Sequence, residues 1–302
     1  MTMKKTIGLL MAFAIMTVSA GCADKEYGGA AQDGASGNAA FADTKEISVV
    51  SREDGSGTRG AFIELFGIEV KGDDGSRKDM TTKEAIIAKQ TDVMMQNIVG
   101  DKYAIGYISL GSMNSTVKAL LIDGVEATAE NVKNGSYPVA RPFNVATKGE
   151  LTGLAKDFLD FVMSAEGQAV VAKSYIAVAD DAAPFAGNKP AGKIVVAGSS
   201  SVTPIMEKLK EAYLEINPNA AIEIQQSDSS AGMTGVLDGT CDIGMASRDL
   251  KDSELANLTP LQIALDGISI IVNNDNPLDG LGAEQVRGIF TGEITRWSEL
   301  ND

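Results

Sequence analysis

An α/β fold with largely parallel sheets is what this sequence predicts. Short apolar runs rich in Ile and Val alternate with amphipathic stretches at helical spacing, and many of the runs end in loops of small and hydroxyl residues. Thirty-two glycines against a single tryptophan add many tight turns, which argues against a coiled coil.

The elements follow in order. A strand is read at 47–50 and a helix at 57–66. A longer helix is read near 83–98, then strands at 104–109, 117–122 and 141–147. Residues 149–163 and 166–174 read as amphipathic helices. Beyond a loose stretch at 179–192 (ADDAAPFAGNKPAG), a strand at 193–197 precedes a helix at 202–216. Strands at 222–225, 241–246 and 261–272 are interleaved with further helices.

Composition removes several functions. Of 302 residues, 44% are hydrophobic and 22% charged, which suits one or two buried cores. There is no histidine, so Ser-His-Asp and Cys-His catalysis are excluded and the commonest metal ligand is missing. No metal-ligand cluster and no cofactor motif is found. The net charge of −15, with no basic cluster beyond Lys4-Lys5, opposes nucleic acid and anionic membrane surfaces. An anionic ligand would need a local site that overcomes this field.

Lys4-Lys5, the apolar run 6–18 and Ser19-Ala20-Gly21-Cys22 form an export signal too short to span a bilayer. The ending resembles a bacterial lipobox. That resemblance implies that Cys22 is lipidated and anchors the mature chain to the extracytoplasmic face of the cell membrane; plain secretion with cleavage after Ala20 is the other reading. Residues 23–43, rich in Gly, Ala, Ser and Asp, read as a flexible tether. The remaining cysteine, Cys241, then has no partner and reads as a small buried hydrophobe.

Three loops share one design, in which a strand ends, small hydroxyl and glycine residues follow, and a helix begins. They are Ser51-Arg52-Glu53-Asp54-Gly55-Ser56-Gly57-Thr58-Arg59, Ala197-Gly198-Ser199-Ser200-Ser201-Val202-Thr203-Pro204 and Ser227-Asp228-Ser229-Ser230-Ala231-Gly232. Free backbone N–H groups and the positive end of a helix dipole make an anion site, and hydroxyls add neutral donors. A single such loop is ordinarily just a helix cap. Three in one chain, one of them with the forked donors of Arg52, point to a bound anion. None is a P-loop or a dinucleotide fingerprint. Asp54 has two readings: a cap or salt bridge to Arg59, or a carboxylate that accepts a hydrogen bond from a protonated oxyanion and repels an unprotonated one.

Residues 51–62 resemble a signature of the phosphate-binding proteins of Pst-type ABC transporters. So do Val196 to Leu209, Asp242-Ile243-Gly244-Met245-Ala246-Ser247-Arg248-Asp249-Leu250 and Ile289 to Trp297. The similarity runs from about residue 45 to the end. It implies a two-lobed periplasmic-binding-protein-like (type II) fold with a ligand cleft between the lobes and no enzymatic activity. Its expected partners are inorganic phosphate and the membrane permease of an ABC importer, with the protein a monomer. Matched by motif, the phosphate-binding residues are Arg52, Asp54, Ser56, Gly57, Thr58, Ser200, Ser201, Ser229 and Ser247; some relatives carry Asp where this chain has Ser247.

The segment order departs from the family, because the Arg-Glu-Asp-Gly-Ser-Gly-Thr segment comes first and the Ala-Gly-Ser-Ser-Ser segment follows. The resemblance therefore implies a circular permutation joined through 179–192, tolerable where termini lie at the surface. It also implies a continuous lobe, 107–274, and a lobe assembled from 44–106 and 275–302. Competing readings are a sulfate or molybdate receptor, a surface sensor or adhesion protein that keeps the fold, and a phosphoester-cleaving enzyme. The last is opposed by the missing histidine and the missing metal ligands.

Overall fold

Strand–loop–helix units recur along the chain in a computed structural model, which describes residues 40–72 and 76–301. β1 (Ser48–Arg52) leads into α1 (Gly57–Leu65), and β2 (Ile86–Ala88) into α2 (Thr91–Gly100). Next come β3 (Ala104–Ser109), the two-residue β4 (Lys118–Ala119) and β5 (Ala140–Thr147). After α3 (Gly153–Val162) and α4 (Ala165–Val171), β6 (Gly192–Ser199) leads into α5 (Thr203–Ile216). β7 (Ala220–Ser227) leads into α6 (Ser229–Asp238), followed by β8 (Ile243–Ala246), β9 (Thr259–Val272) and α7 (Ala283–Thr291).

The expected helix at 83–98 is shorter, and its first part is β2. Ile86 and Ile87 are β-branched and fit a strand better than a helix. They pair in parallel with β1, in a register that sets Ala88 beside Arg52.

One sheet carries these strands in the order β7-β6-β8-β5-β9-β3-β1-β2, with β4 paired beside β9. β7, β6 and β8 run parallel, and so do β3, β1 and β2. Between these trios, β5 and β9 are antiparallel to each other and to their outer neighbours. The expectation of parallel sheets thus holds at both ends and fails in the middle.

Apolar residues cover both faces of each trio, as parallel strands require. Phe62, Ile105, Tyr107, Ile268 and Phe290 share one core, and Val50, Met94, Ile98 and Ile108 fill the opposite face. Around the other trio, Phe143, Phe158, Val196, Leu209 and Tyr213 form a second core, backed by Met233, Val236 and Cys241. Cys241 is buried, as expected. β5 and β9 pass between the cores, and Arg141 and Asp266 face each other across the ladder near the crossing.

This division corrects the expected boundaries. Leu120, Ile122, Val132, Tyr137 and Val139 lie in the core of Phe62 and Tyr107, so the change of core falls near residues 141 and 266 rather than 107 and 275. Alternating apolar residues on two crossing strands serve different cores at their two ends, which periodicity along one strand does not reveal.

Both expected loose segments are partly docked. Most of the tether, with the signal segment and Cys22, lies outside the described residues. Its end does not swing free, for Phe41 packs on Tyr103 and Trp297, with ring centroids 5.0 and 5.8 Å apart. In the 179–192 segment, Phe185 meets Phe161 and Tyr213 edge to face. The Asn188 N–H donates to Asp157 Oδ1 at 2.7 Å, and Asn217 Nδ2 donates to the Pro190 carbonyl at 2.9 Å.

Candidate functional site

The carboxyl ends of β1, β6, β7 and β8 converge, which brings together loops that are far apart in sequence. Tyr107 fixes the end of β1: its hydroxyl accepts the Arg52 N–H at 3.0 Å and bonds the Ser51 hydroxyl at 2.9 Å. The chain then turns through Glu53–Gly55, and Ser56 caps α1 by accepting the Arg59 N–H at 3.3 Å. Asp228 caps α6 in the same way, with Oδ1 taking the Ala231 N–H at 2.8 Å. At α5, Pro204 lies in the first turn, where its missing N–H costs no hydrogen bond.

Eight of the nine expected residues lie in this region, and the structure buries all eight. Arg52, Ser56, Thr58, Ser200, Ser201, Ser229 and Ser247 are each at most 4% exposed. Gly57 is buried at the first position of α1. The shortest hydrogen bonds between side chains of the two cores are these. Arg52 Nη2 donates to Ser200 Oγ at 3.0 Å, and the Thr58 and Ser201 hydroxyls bond at 2.8 Å. Below them, Ser199 Oγ donates to Ser247 Oγ at 3.0 Å, and the Ser247 N–H donates to Ser229 Oγ at 3.2 Å. Gly57 permits this approach, since a Cβ there would collide with Ser229 Oγ and Ser247 Oγ. Ser56 belongs to the loop, but its hydroxyl is engaged as the cap.

Asp54 is the exception. Its side chain is 96% exposed and pairs with Arg59 Nη1 at 2.7 Å. Arg59 also donates to the Arg52 carbonyl at 2.8 Å and to Asp79 Oδ2 at 2.9 Å, so it clamps the outer side of the loop and draws Asp54 outward. The proton-reading carboxylate expected at Asp54 is therefore corrected to the simpler alternative, a salt bridge.

Three residues of this region went unread in the sequence. Glu53 accepts from Arg52 Nε and Nη2 at 2.8 and 2.7 Å, which neutralises the guanidinium while leaving its Nη1 toward the Thr91 hydroxyl. Thr91, at the start of α2, lies 3.4 Å from that Nη1 and 3.3 Å from Ser200 Oγ. Arg141 Nη1 donates to the Ser247 carbonyl at 3.1 Å, and its Nη2 pairs with Asp266 at 3.3 Å, both side chains being 1% exposed. Burial pushes the Asp266 carboxyl up to about 6, against the pull of Arg141, and brings the Arg141 guanidinium down to about 10. The sequence signal is weak for all three: Glu53 is one residue of a longer motif, Thr91 lies within a stretch that reads as one long helix, and Arg141 is one residue of a strand.

The arrangement is suited to an anion. Hydroxyls and helix N-termini offer neutral donors, and each buried arginine already has a carboxylate partner. Among the described residues, no group of three or more His, Cys, Asp and Glu side chains is placed to hold a metal. A hollow of about 500 Å³ beneath the 179–192 segment, lined by Asp157, Phe185 and Asn188 among others, includes none of the nine residues.

Two cores joined by crossing strands, with polar helix starts meeting between them, are the hallmark of a bilobed binding protein. The chain belongs to the PBP superfamily, whose domain profile matches residues 32–166 and 183–302, and within it to the family of phosphate-binding proteins of Pst-type ABC transporters. It is 49% identical over 270 residues to the phosphate-binding protein PstS 2 of Streptococcus agalactiae, covering 89% of this chain and 92% of that one. It is also similar to the crystal structure of a phosphate ABC transporter phosphate-binding protein from Streptococcus pneumoniae TIGR4. There the identity is 44%, the TM-score 0.67, and coverage 85% of this chain and 100% of that chain. The phosphate-binding protein PstS of Bacillus subtilis is 36% identical over only 141 residues, 45% of this chain and 43% of its own.

Proposed function

We propose that this chain captures inorganic phosphate between its two cores and delivers it to the membrane permease of an ABC importer. The observation that carries this reading is the meeting of Arg52 and Thr58 with Ser200 and Ser201 at helix starts from opposite sides of the cleft. A tetrahedral oxyanion placed there would exchange these guanidinium–hydroxyl and hydroxyl–hydroxyl bonds for bonds to its own oxygens. The names of the relatives at 44–49% identity support phosphate as that oxyanion. Arg52, Gly57, Thr58, Ser200, Ser201, Ser229 and Ser247 are the proposed ligand residues, with Ser56 shaping the loop. Equilibrium dialysis with radiolabelled phosphate, with and without excess sulfate, tests the reading. Saturable binding of one phosphate per chain that sulfate does not displace supports it, and displacement by equimolar sulfate sinks it.

The same reading places the protein outside the cytoplasm, held by lipid at Cys22. Among the described residues, no helix is long and apolar enough to cross a membrane. Labelling with a fatty-acid analogue is expected to mark the wild type and spare Cys22→Ser; equal labelling of both would refute the anchor. A monomer is expected, to be checked by light scattering.

The unequal coverage of relatives also supports a permuted order. A collinear alignment between permuted chains follows only one of the rearranged blocks, which fits 45% coverage by the Bacillus subtilis protein beside 89% by that of Streptococcus agalactiae. A chain re-ordered to begin at residue 193 and continue into residue 44 is expected to fold and bind phosphate; failure to fold would count against permutation.

A further inference from the structure

We infer that Thr91 is a direct ligand of the bound anion, so that a fourth helix start, that of α2, completes the site. This inference rests on the phosphate reading above and adds a residue to it.

The first argument is placement. β2 lies beside β1 in parallel, and the register sets Ala88, its last residue, against Arg52. After two intervening residues α2 begins, so the strand–loop–helix design of the three serine and glycine loops is repeated a fourth time, at the neighbouring strand end. Ligands of α/β sheets collect at the carboxyl ends of such strands. α2 is ten residues long, and Gln90 before it makes no side-chain cap. Its first turn therefore presents backbone donors and the positive end of its dipole without a side chain that satisfies them.

The second argument is the hydroxyl itself. Thr91 is 7% exposed, and its Oγ1 lies 3.4 Å from Arg52 Nη1, 3.3 Å from Ser200 Oγ and 3.4 Å from Ser201 Oγ. Hydroxyl–hydroxyl bonds have their optimum near about 2.7–2.8 Å. Thr91 is thus almost equidistant from three groups of the proposed site and well bonded to none. Thr58 and Ser201, by contrast, meet at 2.8 Å. A buried hydroxyl with three long contacts is poorly satisfied, and an oxyanion oxygen reached by all four groups would satisfy it.

A purely structural role is the alternative, and the geometry argues against it. Thr91 stands at the first helical position, after the capping residue, so its hydroxyl does not cap α2. Its neighbours Met94 and Ile98, one and two turns on, supply the apolar face that packs this helix against β1 and β3.

The test is a calorimetric titration of inorganic phosphate into the wild type, Thr91→Val and Thr91→Ser, with thermal melting of each. Valine keeps the shape and removes the donor, whereas serine keeps the donor and removes the methyl group. A hydrogen bond to a charged partner contributes about 1.5–3 kcal/mol, so Thr91→Val should weaken phosphate binding roughly 10- to 100-fold. Thr91→Ser should stay within about threefold of the wild type, with all three melting alike. Should Thr91→Val fail to fold, Thr91→Ala replaces it with the same expectation. Wild-type binding by the valine variant would overturn the inference. So would serine and valine variants equally weakened, which would assign the effect to the methyl group. A wild type that binds no phosphate would overturn the phosphate reading itself, and the inference with it.

Discussion

Arg59 decides what Asp54 can do. A carboxylate two residues before a helix cap can turn inward to a ligand or outward to a cation on the next turn, and here the pair with Arg59 holds it in solvent. Asp54→Asn is therefore expected to leave the ratio of phosphate to sulfate affinity unchanged within about twofold, because an exposed pair of this kind contributes little. Titration of the variant with both anions checks this, and a collapse of the ratio would return Asp54 to the site. The loop motifs bring Arg52, Thr58 and the serines together because residue type and spacing encode a strand end followed by a helix start. The direction of the Asp54 side chain depends on Arg59 being tied to Asp79 and to the Arg52 carbonyl, contacts that local sequence does not encode.

At the scale of elements, the crossing strands β5 and β9 carry the least legible part of the design. Each is a single apolar pattern that serves two cores, so the change of core near Arg141 and Asp266 left no mark in periodicity. The charged pair at that point has a consequence for stability. The folded-state pKa of Asp266, about 6, lies above its unfolded value near 3.8. Folding therefore favours the protonated carboxyl, and this contribution is full below pH 4 and lost as pH rises through 6. Urea unfolding between pH 4 and 7 should show wild-type stability falling relative to Asp266→Asn, which cannot titrate. Parallel curves for the two proteins would rule this out. The 179–192 segment was read as loose because it has no periodicity and is rich in Ala, Pro and Gly. The Phe185 ring anchors it, together with hydrogen bonds at Asn188 and Pro190. Phe185→Ala is expected to cost about 1–3 kcal/mol in unfolding free energy through its lost contacts with Phe161 and Tyr213, and to leave phosphate affinity unchanged. Weakened phosphate binding in that variant would instead tie the segment to the cleft.

The whole molecule has a net charge of −15 and is proposed to bind an anion, and the two facts meet in the cleft. The buried cations there are already neutralised, Arg52 by Glu53 and Arg141 by Asp266, so little net positive charge faces the ligand. What remains is oriented dipole: helix starts from both sides, with hydroxyls that can donate or accept. Such groups keep their directions only while the two cores hold them together, which ties binding to the closed arrangement of the lobes. The central claim is thus that one anion is held by residues of both cores at once. A crystal structure of the protein soaked with phosphate tests this most directly. The account predicts tetrahedral density between α1, α5 and α6, within hydrogen-bond distance of Arg52 and Thr58 on one side and of Ser200 and Ser201 on the other. Density elsewhere, for example in the hollow beside Phe185, or contacts from one core alone, would contradict it.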